Sequence, residues 1–444
     1  MRVHPIAARL RTLLGEEGDL ATVLRGAGLV VIIRVLASAV GFASVILLAR
    51  WMGPSEYGLY SFAIAWMTLL AHPATLGLPG AAVRFVAQYV AANDWEHLVG
   101  FMKVSSWLAF GCGALLATVA IGAVLRFKSD LDPAYVAPTI VALAGIPIVA
   151  LTIVRSEAIR GLGWLALAWG PLQVGQPLFL LIVTAIILFI GIQLTATMVV
   201  AASIVGYVAN LIAQRGILHA RLGTKITSIP KIQLGPWLGV SLSFLWISLA
   251  NVIFLQAGVV VIGIFLKPED VAVYSAAAAT SGLVTLSIYA AVALGAPKFA
   301  TLHVQHRRRE LQALFIGISR LMFWPSLAIA LLFVSFGSTV LRLFGPGFEQ
   351  GYPVLLILTL GQLVGAFVGP VAHLLNMTGH HVVTASVQAA SAVLAVVFGL
   401  VFTRIWGSVG TAVAFSAAMA LGNACLTICV VRKLEIYPSL PVEL

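Results

Sequence analysis

Runs of about 20 or more apolar residues recur along the whole chain, each long enough to cross the hydrocarbon core of a bilayer as a helix. Twelve can be delimited, at residues 27–49, 58–80, 98–125, 134–156, 165–190, 195–218, 237–265, 272–296, 311–336, 353–376, 382–403 and 408–431. No alternating ten-residue segments point to a membrane barrel. Hydrophobic residues make up 61% of the chain and charged residues only 9%, too few to cover a water-facing surface. The expected fold is therefore an all-α polytopic membrane protein of about 12 transmembrane helices.

An internal echo divides these helices into two sets. Pro54-Ser55-Glu56-Tyr57-Gly58-Leu59-Tyr60-Ser61 recurs as Pro268-Glu269-Asp270-Val271-Ala272-Val273-Tyr274-Ser275, an offset of 214 residues from 54 to 268. The same offset relates Arg84-Phe85 to Lys298-Phe299. Six helices per copy keep both copies in the same orientation, so two pseudo-symmetric six-helix lobes are expected around a central cavity, related by an axis along the membrane normal. The organisation reads as an amphipathic N-terminal segment (1–25), a first lobe (26–218), a cytoplasmic linker (219–236), a second lobe (237–431) and a cytoplasmic tail (432–444). The first 25 residues carry four arginines and no clean apolar run, so no cleavable signal peptide is expected.

Charge sets the orientation. Of the 26 lysines and arginines, 18 fall on the side of the N-terminus, six on the other side, and Arg34 and Arg320 within spans. This bias places both termini in the cytoplasm. The net charge of +11 reads as topology rather than as nucleic-acid binding. The basic face also suits anionic membrane lipids. Cys112, Cys425 and Cys429 fall inside apolar runs and form neither a disulfide framework nor a metal motif. No cofactor and no metal are expected.

The stretch Leu48-Ala49-Arg50-Trp51-Met52-Gly53-Pro54-Ser55-Glu56-Tyr57-Gly58-Leu59-Tyr60 resembles the polysaccharide-biosynthesis flippases. These belong to the multidrug/oligosaccharidyl-lipid/polysaccharide exporter superfamily. The likeness continues through Leu76-Gly77-Leu78-Pro79-Gly80-Ala81-Ala82-Val83-Arg84-Phe85 and Ile159-Arg160-Gly161-Leu162-Gly163. The resemblance implies twelve helices around a cavity and transport, by alternating access, of undecaprenyl-pyrophosphate-linked oligosaccharide for O-antigen or exopolysaccharide assembly. It also implies the lipid-linked oligosaccharide as partner, beside other polysaccharide-assembly proteins. Arg34 resembles the first-helix arginine of the related lipid II flippases, but the second arginine that follows in those is replaced here by Gly41-Phe42-Ala43.

A charge at membrane depth is costly, so Arg34 is expected to face a hydrated cavity, where its guanidinium suits a phosphate oxygen pair. Arg320 poses the same question nearer the cytoplasm. Arg84, Arg155, Arg160 and Lys298 sit at cytoplasmic span ends and suit capture of a pyrophosphate, although positive-inside topology also accounts for them. Glu157 is the candidate for a cytoplasmic gate pair. Gln173, Gln176, Asn251, Gln256 and His373 are polar cavity candidates for sugar hydroxyls, with interhelical hydrogen bonding as the competing role. Gln362, Asn376, Gln388 and Asn423 share that description, and His72 reads as a packed helix histidine. No Asp or Glu lies deep in a span. That weighs against a cation-coupled multidrug antiporter of the same superfamily, the second function considered. An enzyme of polysaccharide assembly, the third, needs a large outward catalytic loop that the sequence lacks.

Overall fold

The structure, a computed structural model, describes residues 17–129, 132–223 and 229–437; for residues 17–34, 287, 289, 290 and 292–297 it describes the backbone alone. Among the described residues there is no strand. Eight helical runs are individually long and apolar enough to cross a membrane. Two of them each hold two helices. The run Glu17–Ala74 turns at Gly53 (φ 78°) and the run His381–Leu434 turns at Gly407 (φ 61°). Both angles lie in the left-handed region that a residue with a Cβ adopts only under strain, so glycine sets the corner. Pro54 then restarts the helix where its missing N–H costs nothing.

A bent pair, Pro133–Ala144 with Ile146–Gly161, adds a further crossing, and Pro268–Ser281 continues through a short 3-10 turn into Leu286–Val304 as another. Twelve crossings result: span 1 (17–52), span 2 (54–91), span 3 (95–126), span 4 (133–161), span 5 (165–189), span 6 (196–222), span 7 (234–265), span 8 (268–304), span 9 (308–342), span 10 (348–377), span 11 (381–406) and span 12 (408–434). Because their number is even, the chain enters and leaves at one end of the bundle, which also carries most of the lysines and arginines. We call it the basic end, and its opposite the far end.

The interruptions follow the prolines. Span 4 bends by 42° just before Pro147, span 5 opens into a π-turn at Pro171–Gly175, and span 10 breaks at Gly369-Pro370. Each proline removes one intrahelical hydrogen bond, and the helix yields there. Pro325, by contrast, lies inside the unbroken helix of span 9.

The two echoed segments meet each other. A Cβ on Gly58 would lie 1.8 Å from the carbonyl oxygen of Pro268, so the starts of spans 2 and 8 touch backbone to backbone. Around this contact one apolar cluster takes Leu48, Tyr57 and Phe62 from the first lobe and Ile262, Tyr274, Phe344 and Phe348 from the second. Ring pairs cross the seam: Phe42 with Phe344 at 5.8 Å and Tyr57 with Phe348 at 6.3 Å. The far end is thus one continuous core.

Toward the basic end the core divides. Phe85 packs on Phe101 at 5.8 Å in the first lobe, and Phe299 on Phe315 at 6.5 Å in the second. All four are related by the 214-residue offset, since 85 maps to 299 and 101 to 315. Each pair anchors its own cluster, and the second lobe's cluster takes nothing from the first.

Candidate substrate path between the lobes

Glu56, the acid of the echoed loop, spends its charge on architecture. Its Oε2 accepts the backbone N–H of Ala196 at 2.5 Å, at the N-terminus of span 6, where the helix dipole favours a negative group. Asp270, its counterpart, accepts the N–H of Lys267 and so caps its own helix.

The basic candidates separate by surroundings. Arg34 lies on span 1, but its side chain falls outside the described residues. Arg84 is exposed on span 2, on the side opposite the buried stripe of Ala81, Ala82, Phe85 and Tyr89, with its guanidinium 5.9 Å from the Phe85 ring centre. Lys298, its echo on span 8, is half-buried beside the fully buried Phe299. In both lobes the phenylalanine faces inward to its own core and the adjacent cation turns away from it by about 100°.

Arg155 reaches Ser106 of span 3 at 3.5 Å, and Arg160 pairs with Glu157 of its own helix at 2.6 Å while lying over the Trp169 ring. Glu157 thus forms an ion pair one turn along span 4, within its own helix. Arg320 is half-buried in span 9. Arg155 and Arg160 share span 4 but reach different neighbours, Ser106 of span 3 and Trp169 of span 5, and Arg84 and Lys298 lie on the two spans that meet at the far end.

The polar candidates also divide. Gln176 donates to the carbonyl of Ser203 on span 6 at 2.8 Å and is engaged in helix packing. Gln173 is half-buried in the π-turn of span 5, and Gln256 is half-buried on span 7. Asn251 on span 7 and His373 on span 10 are exposed.

Span 7 carries contacts that sequence reading missed. Its basic-end half lies on the first lobe, although it opens the second in chain order. The Trp237 indole N–H donates to Tyr89 Oη at 2.8 Å, with Trp237 only 2% exposed. Ser248 Oγ lies 2.9 Å from His72 Nδ1 on span 2. The incoming linker is tied down as well: Lys231 pairs with Glu96 at 2.6 Å, and Gln233 meets His97 at 2.9 Å. Glu96 pulls the Lys231 ammonium above its usual pKa. A Cβ on Gly77 would come within 2.0 Å of the Ser241 carbonyl, and one on Gly80 within 2.4 Å of the Phe244 ring. The two glycines of the Leu76-Gly77-Leu78-Pro79-Gly80 motif thus open the groove that span 7 occupies. That motif was the available signal; what it accommodates was not legible.

With this geometry in view, residues 23–303 match the family model described as polysaccharide biosynthesis protein. The chain belongs to that family. The curated proteins give no match. Among solved structures, the chain resembles an inward-facing multidrug resistance MATE transporter of the MOP superfamily, at 17% identity over 91% of this chain and 98% of the other, with a TM-score of 0.74. An outward-facing MATE transporter overlaps with a TM-score of 0.63 at 17% identity over 93% and 96%. A MOP superfamily transporter from Pyrococcus furiosus, described as having a binding pocket of reverse polarity, gives 0.61 at 16% identity over 93% and 96%. This member of the polysaccharide biosynthesis family therefore has the fold of the MOP transporters.

Proposed function

We propose that the protein flips prenyl-pyrophosphate-linked oligosaccharide across the bacterial inner membrane by alternating access, for O-antigen or exopolysaccharide assembly. The basic end is then cytoplasmic and holds both termini. The observation that carries the reading is the asymmetry of the seam: a two-lobe apolar core closes one end, whereas at the other the lobes have separate cores bridged through span 7, and each presents a cation, Arg84 or Lys298, at echoed positions.

In this reading Arg84, Lys298 and Arg34 draw the pyrophosphate from the cytoplasmic leaflet. A guanidinium matches phosphate oxygens in a fork, and an ammonium supplies a point charge. The prenyl chain stays in lipid between the lobes while the sugars enter the interior. Rocking of the lobes then separates the Gly58–Pro268 contact and closes the basic end. Partners are the lipid-linked oligosaccharide, membrane lipids and the polysaccharide-assembly proteins that make and consume it.

Deletion of the gene is the test. Accumulation of lipid-linked repeat units on the inner leaflet is expected, and unchanged surface polysaccharide without accumulation would reject the reading. Arg34→Ala should lower complementation at least tenfold at unchanged protein level. Full activity would remove Arg34 from the site.

A further inference from the structure

A recess of about 230 Å³ lies within the second lobe, where spans 7, 11 and 12 converge. Asn251 of span 7, Gln388 and Ser391 of span 11 and Asn423 of span 12 supply its polar lining, and Phe254 an aromatic wall. No charged residue lines it.

The amides are not consumed by helix packing. Asn251 uses its Nδ2 on the carbonyl of Ile247 in its own helix at 2.9 Å, which leaves its side-chain oxygen. Among the described residues the side chains of Gln388 and Asn423 make no hydrogen bond. Polar groups at membrane depth ordinarily pair across helices or line a path for a polar ligand. Here the first role is unfilled. Gln388 and Asn423 stand ~10 and ~17 Å in from the basic ends of their spans, at 1.5 Å per residue.

The direction in which span 7 turns places the recess on the interior. Gly258 faces Tyr274 of span 8, and Ser248 faces His72 of span 2. At about 100° per residue Asn251 falls between these two directions, on the side of the helix that looks between the lobes. Leu255 shares that side and is 74% exposed.

We propose that this amide-lined recess is a subsite for one uncharged sugar residue of the substrate, separate from the cationic positions that take its pyrophosphate. A side-chain amide offers two donors and an acceptor, which matches adjacent hydroxyls, and an aromatic wall matches the apolar face of a sugar ring. A charged group gains nothing in a pocket without counter-charge. The volume lies below the ~300–1,000 Å³ of pockets for drug-sized ligands, so the recess takes one ring rather than a whole oligosaccharide. The inference rests on the flippase reading and adds to it where the sugar is held.

Binding of two probes to the detergent-solubilised full chain tests it: a short-chain prenyl pyrophosphate, and the same carrier bearing one N-acetylglucosamine. The wild type should bind the sugar-bearing carrier at least tenfold more tightly. The double variant Asn251→Ala/Asn423→Ala should bind both carriers within twofold of each other, with unchanged affinity for the bare one. That unchanged affinity reports that the variant is folded. If the double variant loses the bare carrier too, Gln388→Leu decides, with the preference expected to fall about threefold. Wild-type protein that binds both carriers equally, or variants that keep the full preference, would overturn the subsite and leave the flippase reading standing. Wild-type protein that binds neither carrier would overturn both.

Discussion

The two ends of the interlobe seam are built from the same repeat yet packed in opposite ways. At the far end, Gly58 and Pro268 touch through backbone atoms and aromatic rings from both lobes form one core. At the basic end, the echoed pairs Phe85–Phe101 and Phe299–Phe315 each face into their own lobe, and the connection is made by span 7. An apolar core stabilises whatever it joins, in proportion to the area removed from water. One core crosses the seam at the far end, whereas at the basic end span 7 bridges two separate cores. Symmetry of sequence therefore does not extend to symmetry of packing.

Five substitutions sharpen this contrast, in decreasing order of expected effect. Gly58→Leu sets a side chain against the Pro268 backbone, where nothing flexible can give way. Overpacking costs ~1–3 kcal/mol or more. That shifts the far-end equilibrium at least about fivefold toward open. Transport should fall by at least that factor in protein still present in the membrane, and a cysteine placed near residue 348 should label faster. An unchanged labelling rate would break the distinction between the ends.

Next comes Trp237→Phe, which removes the buried donor to Tyr89. A loss of ~1–3 kcal/mol is expected, read as a lower melting temperature in detergent. A neutral result would show that span 7 does not hold the first lobe. Ser248→Ala then deletes the partner of His72 and should cost ~0.5–1.5 kcal/mol by the same measurement.

The smallest effect belongs to the solvent-facing tether. Lys231→Ala breaks an exposed pair with Glu96 and should leave the melting temperature nearly unchanged. Its neighbour Asp94 caps span 3, and the backbone N–H of His97 holds its carboxyl below the usual range. Its contribution is therefore complete above the ordinary carboxylate pKa and fades as pH falls through the lower folded value. Stability between pH 6 and 3 should decline slightly less steeply in Asp94→Asn than in the wild type.

Much of the fold was legible because membrane helices announce themselves: twelve apolar runs correspond to the twelve crossings, and Pro147, Pro171 and Pro370 mark real interruptions. Gly361, Gly365 and Gly369 of span 10 recur every fourth residue, a spacing that predicts one packing face. Gly361 and Gly365 do meet Ser416 and Asn423 of span 12, but Gly369 adopts φ 85° at the break and lies against Ser319 of span 9. One residue type at regular spacing served two purposes, and spacing alone does not distinguish them.

The candidate site was less legible. Gln176 and Asn251 have similar chemistry and both lie within spans, yet Gln176 holds span 6 while Asn251 borders an open recess. The embedding of span 7 on the first lobe was hidden as well, since Trp237 and His72 find partners 148 and 176 residues away.

Sequence by itself determined the medium, the number of crossings, the duplication and the side that carries the positive charge. These follow from the sum of residue properties over some 20 positions, and such a sum survives local detail. Only the tertiary structure decided which end is sealed, which lobe claims span 7 and which polar groups are left over after packing. Those outcomes depend on contacts between distant residues, each fixed by an ångström of clearance at positions such as Gly58 and Gly77.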